Sequence, residues 1–94
     1  MIYQEALNNL NQLISLLERN NIKCPDYVKN FKVKVELCIK TAQIITLDEI
    51  DEFNDKCGGD FGGLYYDAVY QLPKEELSSF ENITKSLDES MRKH

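Results

Sequence analysis

Residues 25–45 read PDYVKNFKVKVELCIKTAQII, and the period of their apolar positions decides the fold class. Val28, Phe31, Val35, Cys38, Ala42 and Ile45 recur at steps of 3, 4, 3, 4 and 3. An α-helix turns once in about 3.6 residues, so this spacing aligns them as one buried seam of about five turns. The competing reading is a strand. Residues 31–39, FKVKVELCI, alternate apolar and polar and include β-branched Val33, Val35 and Ile39. The longer period favours a helix starting near Pro25, with an extended 31–39 kept as the alternative. Proline suits a first turn, because the N–H it lacks has no intrahelical partner there.

N-terminal to this seam, Tyr3, Ala6, Leu7, Leu10, Leu13, Ile14 and Leu17 form a second amphipathic stripe over Ile2 to Asn20. Asn8, Asn9, Asn11 and Gln12 are expected on its outer face. Asn20-Asn21 is the expected stop, since Asn tolerates a left-handed conformation. C-terminal to the seam, Thr46-Leu47-Asp48-Glu49 fits a capping box in which Thr46 and Glu49 satisfy each other's amides. Leu47, Ile50, Phe53 and Cys57 are expected to face inward from this third helix, which stops at Gly58 or Gly59. Leu64 to Tyr70 reads equally as a short helix or an extended segment. Pro73 opens the last helix, with Leu77, Phe80, Ile83 or Thr84, Leu87 and Met91 along its stripe and Arg92-Lys93-His94 at its end. The fold class expected is all-α: one domain over residues 1–94, a bundle of about four helices with a Gly-rich corner between the third and fourth.

Composition narrows the function. The chain has 94 residues, is 43% hydrophobic and 29% charged, and has only two prolines, which suits a folded chain rather than a disordered one. No apolar run approaches the roughly 20 residues that span a bilayer, and the start lacks a secretory signal pattern, so a cytoplasmic location is expected. Cys24, Cys38 and Cys57 are too widely spaced for a CxxC or His/Cys metal framework and are read as reduced structural thiols. Net charge is −5, but unevenly spread: residues 23–40 carry +3 and residues 47–67 carry −6. Direct nucleic-acid binding needs a basic surface and is not expected.

Catalytic machinery is hard to assemble from these residues. The one histidine is the C-terminal His94, and nothing pairs it with a Ser or Cys nucleophile. Asp51 to Gly62 fails as a calcium loop, with Phe53, Lys56 and Gly62 at positions that need oxygen, glycine and glutamate. The glycines at 58–63 lack the Gly-Lys-Ser/Thr ending of a phosphate loop. No enzyme activity, cofactor or metal is therefore expected. What stands out is a surface: Asp48, Asp51, Glu52, Asp55, Asp60 and Asp67 beside Tyr65, Tyr66 and Tyr70. Acidic rims steer basic partners, and half-exposed tyrosines are common interface anchors.

The order of a Leu-rich helix, a lysine-flanked helix and an acidic helix running into Cys57-Gly58-Gly59-Asp60-Phe61-Gly62-Gly63-Leu64-Tyr65-Tyr66-Asp67 resembles small bacterial immunity proteins. Those often carry a Phe-Gly-Gly-x-Gly-Ser-x-x-Asp corner. Phe61-Gly62-Gly63 and Asp67 match its outline over roughly residues 5–70, whereas Leu64-Tyr65-Tyr66 stands where Met-Gly-Ser is usual. The resemblance implies a cytoplasmic immunity protein of the contact-dependent growth inhibition or polymorphic-toxin type. Its partner would be the toxic C-terminal domain of a secreted effector, in many cases a basic nuclease. A second class fits the composition too: a helical adaptor or regulatory subunit acting as a homodimer with no toxin. Monomer and dimer stay open at this point.

Overall fold

Five α-helices and no strand make up the described part of the chain, residues 3–58 and 63–92 of a computed structural model. They are α1 (Gln4–Arg19), α2 (Asp26–Thr41), α3 (Leu47–Gly58), α4 (Leu64–Gln71) and α5 (Lys74–Arg92). Leu64 to Tyr70 is thus helical, which makes five helices where about four were expected. Ile2, His94 and most of the expected glycine corner, residues 59–62, lie outside the described residues.

The helical reading of α2 prevails because its two faces separate as a helix requires. Val28, Phe31, Val35 and Cys38 are buried, while Val33 and Leu37 are 62% and 52% exposed. A strand would have put Phe31, Val33, Val35 and Leu37 on one side. The expected seam is too long by one turn, however. Ala42 leaves the helix with φ 57°, and Ile45 is buried from the connecting segment instead. Ile45 is held there by its N–H, which donates to the Tyr3 hydroxyl at 2.9 Å.

A left-handed alanine costs roughly 1–2 kcal/mol in steric strain, whereas glycine is free to adopt that conformation at some cost in chain entropy. The expected result for Ala42→Gly is a net stabilisation of up to about 1 kcal/mol, after about 0.4–1 kcal/mol is returned to the unfolded chain. A urea midpoint at or below that of the parent chain would contradict this reading of the turn.

The end of α1 follows its sequence signals. Asn21 is left-handed at φ 60°, the Ile22 N–H donates to the Leu17 carbonyl at 2.9 Å and the Asn21 N–H to the Glu18 carbonyl at 3.1 Å. That pairing is a Schellman motif, and Ile22 is buried behind it. One residue of α1 departs from expectation. Asn9 belongs to the core rather than the outer face, and its Nδ2 has no hydrogen-bond partner among the described residues. The reason is that α1 packs on both α5 and α2, so its buried stripe is wider than a single partner would make it.

α1 and α5 form the main seam of the bundle. They run antiparallel, with Arg19 at the end of α1 paired to Glu76 at the start of α5 at 2.7 Å. α2 covers a second side of α1. α3 lies antiparallel along the C-terminal half of α5, where Asp51 reaches Arg92 at 2.5 Å. α4 follows along the N-terminal half, with Tyr65 beside Phe80 and Glu81. Phe80, Leu10, Leu13, Leu16, Leu17, Ile50, Leu64 and Leu87 are the largest side chains completely shut from solvent.

Candidate functional site

The capping box of α3 is formed as its sequence demands. The Glu49 N–H donates to Thr46 Oγ1 at 3.2 Å, and the Thr46 N–H donates to Glu49 Oε1 at 3.3 Å. Glu49 is also paired with Lys34 of α2. This fixes the rotation of α3, and Ile50, Phe53 and Cys57 point inward. Leu47 does not. It is 63% exposed, against the sequence expectation. Two three-residue steps in succession, 47 to 50 to 53, drift by about 120° on a helix, which carries Leu47 off the inward line.

With that rotation set, Asp48, Asp51, Glu52 and Asp55 all project into solvent. They are not equivalent. Asp51 is neutralised by Arg92, which also grips Asp88 at 2.9 Å, and Glu52 is paired with Lys56 at 3.3 Å. Among the described residues, neither Asp48 nor Asp55 has an ion-pair partner. The two carboxylate pairings hold Arg92 charged above its usual range.

On α4, Leu64 and Ala68 are buried, so Tyr66, Val69 and Tyr70 face out. Tyr70 is 73% exposed, and its ring lies 4.8 Å from that of Tyr66. Tyr65 sits on the flank, donating its hydroxyl to Glu81 at 3.0 Å; this raises its pKa. Asp67 lies on the other flank, exposed. Asp60 lies outside the described residues.

Both helices turn one flank to α5, through Asp51 and Tyr65, and the other towards Tyr27 of α2. The two helices follow one another along α5, with Asp51 of α3 at Arg92 near its end and Tyr65 of α4 at Glu81 in its N-terminal half. Asp48 and Asp55 are the exposed, unpaired carboxylates of α3 among the described residues, and Tyr66 and Tyr70 are the outward rings of α4.

A groove of about 230 Å³ between α2 and α3 was not legible in the sequence. Its floor is the stacked pair Phe31 and Phe53, with ring centroids 4.1 Å apart. The Lys34–Glu49 and Lys56–Glu52 pairs form its rim. The Tyr27 hydroxyl closes one end by donating to the Lys56 carbonyl at 3.1 Å, and the Lys56 ammonium lies 5.8 Å from the Tyr27 ring centroid. The 3.6-residue period could have placed each aromatic inward; that they stack on each other depends on how α2 crosses α3.

Burial pushes the Cys57 thiol up to about 12, and Cys24 is also raised by burial first. Burial, with smaller contributions from Cys57 and Asp67, takes the Tyr27 phenol up to about 12. These groups hold their protons in the folded state, at pH values where the unfolded chain releases them from 9.0 and 10.0 upward. The unfolded state then binds fewer protons, so stability falls as pH rises from about 9 towards 12. A urea midpoint unchanged from pH 8 to 11 would contradict the burial of these groups. Cys38 is buried as well. Among the described residues, no group of three or more His, Cys, Asp or Glu side chains is placed to hold a metal ion. Nor is any described helix long and apolar enough to cross a membrane.

The described residues define a small all-helical protein with exposed carboxylates on α3 and exposed tyrosines on α4. Compared with known proteins, the chain matches no family model, and no curated protein or solved structure matches it significantly.

Proposed function

We propose that the chain is an immunity protein that binds a cognate toxin domain, one with a basic surface such as a nuclease, and neutralises it by stoichiometric protein–protein inhibition. One observation carries this reading: α3 leaves Asp48 and Asp55 exposed and unpaired among the described residues, and α4, which packs on α3, exposes Tyr66 and Tyr70. Interfaces commonly join aromatic anchors that exclude water to charges that steer the encounter. A basic phosphate-binding site is the natural complement of such a face. Tyr66 and Tyr70 are the anchors in this reading, Asp48 and Asp55 supply steering, Asp51, Glu52, Tyr65 and Asp67 contribute at the margins, and Asp60 lies outside the described residues. The chain itself performs no catalysis in this reading and acts in the cytoplasm, where the toxin would arrive.

The test begins with the tagged chain as bait in its native host, the captured proteins being identified by mass spectrometry. The expected catch is a basic toxin fragment at one-to-one stoichiometry, and co-expression of the chain should protect cells from it. Asp48→Ala and Asp55→Ala combined should leave folding nearly intact, because exposed changes away from ion pairs usually stay within about 0.5 kcal/mol each. The double variant should bind more weakly and with a flatter salt dependence. Binding that is unchanged at both low and high salt would remove the acidic face from the interface. A captured partner whose toxicity the chain does not relieve would remove the immunity reading altogether.

A further inference from the structure

The outer face of α2, opposite its buried seam, is exposed along its whole length. Asp26, Val33 and Lys40 stand in one row down its middle, each about two turns from the next. Lys29 and Glu36 lie on one side of that row, and Asn30 and Leu37 on the other. Asp26, Lys29, Glu36 and Lys40 are all exposed, and none has an ion-pair partner among the described residues. Lys32 and Lys34 stand on the two shoulders, about 100° round the helix from Val33, and Lys34 is paired with Glu49 of α3. From the N-terminal end, the free charges of the face run minus, plus, minus, plus around an apolar centre of Val33 and Leu37. From the C-terminal end they run plus, minus, plus, minus. The face is therefore the complement of its own reverse, which is what an antiparallel pairing of two identical helices needs.

We infer that α2 pairs antiparallel with α2 of a second copy, about a two-fold axis at Val33. Asp26 and Lys40 lie equally far from Val33, about 10.5 Å to either side at about 1.5 Å per residue, so each meets the other across the axis. Lys29 lies about 6 Å before Val33 and Glu36 about 4.5 Å after it, on the same side of the row, so these two meet as well. Val33 then rests on Val33 of the second copy, with Leu37 beside it. Charge selects this direction. A parallel pairing sets Asp26 against Asp26, Lys29 against Lys29 and Lys40 against Lys40, whereas the antiparallel one makes every such contact attractive. The contact is isologous and closes at two chains. It uses few apolar side chains and exposed charges, which makes it weak, with a dissociation constant on the order of 0.1–1 mM. It uses α2 rather than α3 or α4, so it stands or falls apart from the proposed function.

Sedimentation equilibrium of the full chain tests it, over roughly 0.01–2 mM protein at about 20 mM and about 500 mM salt. At low salt the mean mass should climb with concentration from 10.9 kDa towards that of two chains and not pass it. High salt should return it towards one. Asp26→Lys and Lys40→Asp each set like charges across the axis, so each variant alone should stay at one chain. Mixed in equal amounts they should pair, since one chain then offers two positive charges and the other two negative ones. Val33→Glu, an exposed change that sets a charge against its own copy on the axis, should also stay at one chain. Helicity by circular dichroism checks that each variant folds, and Val33→Glu keeps the test open should a reversal at a helix end unfold the chain. A single-chain mass for the parent at the highest concentration in low salt would overturn the inference. So would a mass beyond two chains, or a dimer indifferent to salt and to all three substitutions.

Discussion

Replacing Phe80 by Ala is expected to cost about 3–5 kcal/mol, the range typical of a fully enclosed phenylalanine whose cavity relaxes only in part. Phe80 is 1% exposed and lies on α5, the helix whose seam with α1 holds the bundle together. Its ring also backs the Tyr65 ring of α4, with centroids 6.2 Å apart. A domain of this size has roughly 5–14 kcal/mol to lose in all, so one substitution removes a large share of it. Each kcal/mol moves the melting temperature of such a chain by about 4–8 °C, and a fall of more than 10 °C is expected by calorimetry. Phe80→Leu, which keeps most of the volume, should cost only about 1 kcal/mol. If the alanine variant melted within a few degrees of the parent, the α1–α5 seam could not be the centre of stability.

Phe53→Ala should come second, at about 3 kcal/mol or more. Phe53 packs face to face with Phe31, meets the Tyr27 ring edge-on at 6.3 Å, and forms the floor of the groove beneath the acidic helix. An offset aromatic pair contributes about 0.5–1.5 kcal/mol beyond the area it buries. Leucine at this position restores volume but not stacking, so Phe53→Leu should recover most but not all of the loss. The difference between the two variants then measures the stack. Removal of Phe53 also loosens α3 from α2, so hydrogen exchange should quicken at the amides of residues 50–57 more than at those of α1. Uniform acceleration along the chain would mean that α3 is not a separate outer layer.

Much of this architecture is present in local sequence chemistry. The seam from Val28 to Cys38, the left-handed stop at Asn21, the Thr46–Glu49 capping box and the start of α5 after Pro73 each follow from neighbours within one turn. Such features depend on 3.6-residue periodicity and on which side chains can satisfy free backbone amides. The outward direction of Asp48, Asp51, Glu52 and Asp55 follows in the same way once Ile50, Phe53 and Cys57 face inward. Leu64 to Tyr70 stayed open because seven residues hold too few periods to separate a helix from an extended segment.

What the tertiary structure decided is everything that depends on a second element. Asn9 is buried because α1 has two partners, a number no single-helix pattern contains. Ala42 is left-handed because the short link between α2 and α3 must turn where Ile45 can reach Tyr3. Which carboxylates stay unpaired was decided by α5, whose Arg92 neutralises Asp51 from 41 residues away and leaves Asp48 and Asp55 bare. Local sequence sets the direction of a side chain from its own helix axis. Its partners depend on where other helices lie, and that is fixed only when the whole core packs.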